Sequence, residues 1–338
     1  MAPPSPQHEQ QPWDGSQIPS QQGKTVVVTG ANAGIGFVVA QRLAERGARV
    51  ILACRDEARG NAAAATIRER LAGQDTSDNS AAGSVEVMQV DVGALASVEA
   101  FAQRLHAAVE RVDLLINNAG VGAPTETKSA DGISIQFGVN HLGHFHLTNL
   151  VFDLLKASPA ARVVNISSVA HRMDNSKLLM RSTELDFEQL ATGEGDPGWA
   201  RYEKSKLCNL LFTYELQRRL DGAKLQQIRS VAAHPGVCHT NIFDETARAY
   251  FPRFLLGALQ WIFGRTMQTA EMGALPILYA ATVESVQSGE YYGPDGAKHW
   301  YGYPQLEQSS EASHSEEYGR RLWELSEQLT KTPFQVAQ

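Results

Sequence analysis

Tyr202 and Lys206 stand four residues apart in the segment GWARYEKSK, residues 198–206. On a helix that spacing puts both side chains on one face. A free phenol gives up its proton only near pH ~10, which makes it a poor base at neutral pH. A neighbouring ammonium favours the phenolate and brings that value down. The pair could therefore pass a proton to or from a substrate oxygen. Surface helices carry such pairs without purpose, so its meaning depends on what the rest of the chain brings beside it. Lys204, two residues from Tyr202, falls on another helical face and reads as solvated.

Three further groups could do chemistry. Gly30, Gly34 and Gly36 lie in VVVTGANAGIGFVVA, between a β-branched run and an amphipathic stretch. Without Cβ atoms that backbone can turn tightly and approach a pyrophosphate at a helix N-terminus. Such turns often only connect elements, but a buried strand before and a helix after favour nucleotide binding. Ser168 ends the run VVNISS, where a hydroxyl can polarise a carbonyl in the crevice beyond a strand's carboxyl end. Ser167 is the competitor, although strand alternation sends it to the other face. Arg55 follows the strand-like run RVILAC. An acid there would bond a free ribose 2′-hydroxyl, whereas an arginine suits a 2′-phosphate. The alternatives are that Arg55 only covers a solvated loop and that Asp56 caps the next helix. Asn140, in VNHLGHFHL, reads on its own as a buried structural amide. His141, His144 and His146 do not share one helical face and have no acidic partner in sequence, so packing or surface roles are expected and no metal site.

Elements able to position these residues recur along the chain. Runs Lys24–Thr29, Arg49–Cys54, Val85–Val92, Val112–Gly120, Ala161–Ser168 and Ile228–Gly236 read as strands. Helical stretches separate them: from Gly34 to Gly47, Asp56 to Leu71, Leu95 to Glu110, Asn140 to Lys156 and Arg201 to Leu220. Strands alternating with helices mean an α/β fold, a doubly wound parallel sheet with helices on both faces. The 338 residues, 43% apolar and 20% charged, suffice for one large globular domain. A net charge of -7 argues against nucleic acid as a partner. Cys54, Cys208 and Cys238 are too scattered for a disulfide framework or a zinc motif. Residues 1–22 are rich in Pro, Gln and Ser and have no apolar core, so disorder is expected rather than a signal peptide or anchor. With no long apolar run anywhere, a soluble, cytoplasmic protein is expected.

Read in order, the spacing T-G-x-x-x-G-x-G, Asp91-Val92, NNAG at 117–120, Asn140, Ser168, Tyr202-x-x-x-Lys206 and HPGVCHT resembles the short-chain dehydrogenase/reductase family from about Gly23 to Leu329. The resemblance implies a single Rossmann-type catalytic domain over 23–330, a small substrate lid at about 241–266 and a tail at 331–338. It implies a nicotinamide cofactor, with the Arg of ACR pointing to NADP(H) and NAD(H) as the alternative. The cofactor contacts it implies are Gly30, Asn32, Gly34, Ile35 and Gly36 at the glycine turn, with Arg55 beyond it. Asp91 and Val92 would flank the adenine, and Asn118, Ala119 and Gly120 would support the cleft. Lys206 would reach the nicotinamide ribose beside Tyr202, and Pro235, Gly236, Val237 and Thr240 would line the carboxamide. Tyr202 becomes the general acid/base, Ser168 the carbonyl-polarising hydroxyl, and Asn140 the family's helix-kinking Asn, whose carbonyl holds a water in a proton relay to Lys206.

The long Ser168–Tyr202 segment and SKLCNLLFTYELQRRL resemble the retinol dehydrogenase-like branch, which includes the oxidoreductase domain found behind WW domains. That branch implies an NADP(H)-dependent carbonyl reductase or alcohol dehydrogenase. Phe254, Leu255, Trp261 and Phe263 in the expected lid suggest a bulky lipophilic carbonyl or alcohol: a retinal-like aldehyde, a ketone, or a polyprenyl- or steroid-type compound. A core or dimer-contact helix, or one touching a membrane surface, would explain the same residues, and a homo-oligomer stays open. Three other functions stay in view. They are a non-catalytic NADP(H) sensor or scaffold, a nucleotide-sugar epimerase, and a C=C reductase resembling protochlorophyllide reductase. The last carries Cys directly after Pro-Gly, where this chain has Val237.

Overall fold

The computed structural model describes residues 12–73, 83–122, 124–172, 185–238 and 267–337. Eight strands form one sheet in the order β3-β2-β1-β4-β5-β6-β7-β8. They are β1 (Thr25–Thr29), β2 (Arg49–Cys54), β3 (Ser84–Gln89), β4 (Leu114–Asn117), β5 (Ala161–Ile166), β6 (Ile228–Ala233), β7 (Tyr291–Pro294) and β8 (Pro304–Leu306). Only the last pair, β7 with β8, runs antiparallel. Parallel strands need covered crossovers, and the helices supply the cover on both faces.

Alternation along each strand divides the core. Val26 and Val28 of β1, with Val50 and Leu52 of β2, face α1 (Gly34–Glu45), α2 (Glu57–Ala72) and, further along the chain, the helix Ala270–Thr282. Val27 and Ile51 point the other way, toward α3 (Leu95–Ala108) and the helices that follow β4. Between β4 and β5 the chain forms α4 (Ile135–Phe137), a π turn over Gly138–Leu142, α5 (Gly143–Leu150) and α6 (Phe152–Lys156). The single helix expected through Asn140 is therefore interrupted at that residue. Then come α7 (Phe187–Thr192), α8 (Gly198–Gly222), α9 (Ala270–Thr282) and α10 (Glu316–Thr330). The strands β7 and β8 and helix α9 were not anticipated. Tyr291–Pro294 carries a glycine and a proline, and Pro304–Leu306 is too short to show a period.

The leading segment corrects one expectation. From residue 12 onward it is packed rather than disordered: Ile18 is 3% exposed, and the Trp13 ring meets Tyr279 of α9 edge-on at 5.3 Å. Main-chain Gln21 donates to the Arg46 carbonyl at 2.8 Å. Two apolar anchors spaced among prolines and glutamines suffice to dock the strap, though average composition hides them. At the other end Phe334 stacks on Trp323 of α10, with centroids 4.7 Å apart. No helix among the described residues is long and apolar enough to cross a membrane. Thr240 and the expected lid, with Phe254, Leu255, Trp261 and Phe263, lie outside the described residues.

Candidate active site

A cleft of about 1460 Å³ opens along the carboxyl ends of the strands, larger than a pocket for one small ligand. One half is built by the turn after β1. Gly30 has φ +68, in the region that favours glycine. A Cβ on Gly36 would strike the Asn118 side chain and the Gly30 carbonyl, so helix and strand meet too closely for any other residue. Helix α1 begins without a capping side chain or an acid in its first turn. Its first amides are left to the cleft, which Asn32, Gly34, Ile35 and Gly36 line. Arg55 and Arg59 line the same end, and Asp56 caps α2 by accepting from the Arg59 amide at 3.0 Å. An uncapped helix start beside two guanidiniums fits a phosphorylated dinucleotide. Arg59 escaped the sequence reading, although its four-residue spacing from Arg55 was a usable signal. Asp91 and Val92 sit along the same wall, where Asp91 accepts from the Gly93 amide at 2.9 Å.

The floor is made by residues 118–121. The Asn118 side chain donates to the Thr29 carbonyl at 2.8 Å, and the Asn118 and Ala119 amides both donate to Thr29 Oγ1 at 2.9 Å. Val121 is held by the Asn140 side chain, which accepts from its amide at 2.8 Å and donates to its carbonyl at 3.0 Å. Asn140 Nδ2 also reaches Ser205 Oγ at 2.9 Å. The amide expected at a helix kink thus sits in the π turn and ties the floor to α8.

Tyr202 and Lys206 converge at the cleft from the first turns of α8, both buried. Lys206 Nζ lies 5.7 Å from the Tyr202 ring centre and donates to the Ile166 carbonyl at 3.1 Å. Burial pushes its pKa down to about 8. Burial raises the Tyr202 phenol above its ordinary value, while a hydrogen bond with Ser168 pulls it back. Ser168 therefore faces the phenol, whereas the buried Ser167 spends its hydroxyl on the Lys206 carbonyl at 2.9 Å. Gly120 completes the group, since a Cβ there would touch Asn140 Oδ1 at 3.2 Å and Lys206 Nζ at 3.4 Å. Trp199, one helical turn before Tyr202, lies at the rim with the two rings 5.3 Å apart. Sequence reasoning gave it no role.

Lys204 departs from expectation. It is 7% exposed and pairs with Asp196 at 2.5 Å, because the loop before α8 folds back over that face. The three histidines of HLGHFH disperse as packing residues: His141 meets Ser326 of α10 at 3.0 Å, His144 meets Thr29 at 2.9 Å, and His146 meets Glu99 at 3.4 Å. Among the described residues no cluster could hold a metal ion. Past β6, Pro235, Gly236 and Val237 line the cleft, and the Val237 amide donates to the Trp300 carbonyl at 2.8 Å. Behind them Glu307 accepts from His234 at 2.8 Å and from Arg172 at 3.0 Å.

Residues 24–180 match the family described as short chain dehydrogenase. Retinol dehydrogenase 14 of Mus musculus is 38% identical over 310 residues, covering 90% of this chain and 85% of its own. Retinol dehydrogenase 13 of Homo sapiens is 39% identical, covering 91% and 84%. Among solved structures, an uncharacterized protein from Mycobacterium paratuberculosis is 38% identical with a TM-score of 0.74, covering 96% of this chain and 99% of its own. The Pseudomonas aeruginosa RhlG/NADP active-site complex is 26% identical with a TM-score of 0.60, covering 83% and 98%. Fold, cleft and relatives together make this chain a member of the short-chain dehydrogenase/reductase family, an oxidoreductase with retinol dehydrogenases among its relatives.

Proposed function

We propose that the protein is an NADP(H)-dependent oxidoreductase acting on the carbonyl or alcohol of a bulky, lipophilic substrate. The observation that carries this is the convergence of Tyr202, Ser168, Lys206 and Asn140 at one end of a cleft whose other end holds Arg55 and Arg59. When bound, the nicotinamide supplies or accepts the hydride. Tyr202 gives its proton to the substrate oxygen, or takes one in the reverse direction, and Ser168 steadies that oxygen. Lys206, held near its deprotonation range by burial, brings positive charge to the phenol once it is protonated. Asn140 fixes the floor on which these groups stand. The two arginines supply the preference for a 2′-phosphate.

The lipophilic substrate class draws on the retinol dehydrogenase relatives and on the indole of Trp199 at the rim. The three cysteines are buried free thiols, in keeping with a reducing compartment and a cytoplasmic enzyme. Tyr202→Phe is expected to lower kcat for NADPH-driven reduction of a lipophilic aldehyde by about a hundredfold to ten-thousandfold. NADPH binding, followed by its fluorescence, stays intact. Turnover at the parent rate would exclude Tyr202 as the acid.

A further inference from the structure

We infer that His144 is a positioning residue of the site. It joins the Thr29 hydroxyl, which holds the amides of 118 and 119, to the main-chain carbonyl of Asn140, whose side chain holds Val121. This rests on the function proposed above and adds a residue to it.

Both imidazole nitrogens are committed. Nδ1 lies 3.1 Å from the Asn140 carbonyl oxygen, which can only accept, so Nδ1 carries the hydrogen. The ring is 2% exposed, and burial takes its pKa down to about 4, so it is neutral and Nε2 keeps a lone pair. Nε2 therefore accepts from Thr29 Oγ1 at 2.9 Å. The other acceptor open to that hydroxyl, the Ile116 carbonyl, is farther away at 3.4 Å. Thr29 Oγ1 meanwhile accepts from the Asn118 and Ala119 amides at 2.9 Å each. Every donor and acceptor in this buried chain has one assignment, and it runs from the floor through Thr29 and His144 to Asn140. There the Asn140 side chain returns to Val121 and closes a ring around 118–121.

The ring matters because both of its ends are backbone features that could shift. Asn140 sits in a π turn, where the Gly143 amide bonds to the Gly138 carbonyl five residues back. Such turns persist only where surrounding contacts fix them. Gly120, at the middle of the floor, lies against both Asn140 and Lys206. A floor released from His144 would carry the Lys206 neighbourhood with it.

Two measurements decide the point. Long-range 15N–1H spectra of the intact protein, with the ring assigned through a His144→Phe difference, are expected to show the Nδ1–H tautomer for His144; an Nε2–H tautomer overturns the assignment. In kinetics, His144→Phe is expected to lower kcat about tenfold, with substrate KM within about twofold. Thr29→Val also loses kcat, and Thr29→Ser recovers most of that loss. The double variant His144→Phe/Thr29→Val loses no more than Thr29→Val alone, because both cut one chain. Parent-like kcat in His144→Phe, or losses that multiply in the double variant, overturn the proposal. Should His144→Phe not fold, Thr29→Val against Thr29→Ser reads the same link: equal kcat in the two overturns it. If the parent reduces no carbonyl, the proposed function fails, while the tautomer still decides the hydrogen-bond chain through His144.

Discussion

Lys206 is buried with the Ile166 carbonyl as its hydrogen-bond partner, and burial is the cause of its lowered pKa. The sign of its effect on stability follows directly. The unfolded chain holds the Lys206 proton up to the ordinary value of 10.5, while the folded protein releases it at about 8. Between those values the unfolded state binds more protons, so this group adds stability as pH rises through the window. Buried tyrosines and cysteines with raised values oppose it, so the comparison is with a variant. In the cofactor-free protein, urea midpoints of the parent minus those of Lys206→Met are expected to rise from about pH 8 to about pH 10. A flat difference would mean that Lys206 is not desolvated. At the end of the cleft proposed to take the adenosine, Arg55→Asp is expected to lower the proposed NADPH-over-NADH preference in kcat/KM by about tenfold or more. Arg59 would retain part of the 2′-phosphate affinity, which a titration with 2′-phosphate-bearing nucleotides would reveal. Spacing brought out Tyr202, Lys206 and Ser168 as candidates, and the structure gathers all three in one cleft. Spacing failed for Lys204, whose burial comes from Asp196 on a loop eight residues earlier, which helical periodicity cannot register.

The sheet's far edge acts on the cleft through one carboxylate. Glu307, just past β8, is 8% exposed and faces His234, Arg172 and His299. The Gly236 amide in turn donates to His234 Nδ1 at 3.1 Å, so the Pro235–Val237 wall is fastened from behind. Glu307→Leu takes the carboxylate away from all three partners and leaves the buried His234 Nε2 without its acceptor, and a loss of about 3 kcal/mol in denaturant unfolding is expected. A change below about 1 kcal/mol would show that the cluster is not a structural anchor. None of this was readable beforehand, because β7 and β8 are too short for periodicity and Glu307 looks like any surface acid. At Asn140 the resemblance implies a kink, but periodicity alone shows only a helix, for a related reason. A π turn preserves helical composition and shifts the register only locally, so GVNHL resembles ordinary helix.

For the molecule as a whole, the doubly wound architecture was legible because β-branched runs separated by amphipathic helices admit few other arrangements. The docked strap before β1 was not, since two apolar residues do not outweigh a polar background. Ile18→Ala is expected to cost about 2–4 kcal/mol, measured by chemical denaturation. A negligible cost would mean that the strap contributes little to the core. The sheet order carries one more implication. β1 lies inside the sheet, later strands are added outward to β8, and the clamp on His234 comes from the residue just beyond β8. The residues up to Tyr303 already hold the glycine turn, Ser168, Tyr202, Lys206 and the Trp300 carbonyl that fixes Val237, but not the carboxylate behind His234. That stretch of the cleft wall is therefore completed from the outermost strand pairing of the sheet, so a disturbance at β8 reaches it through His234.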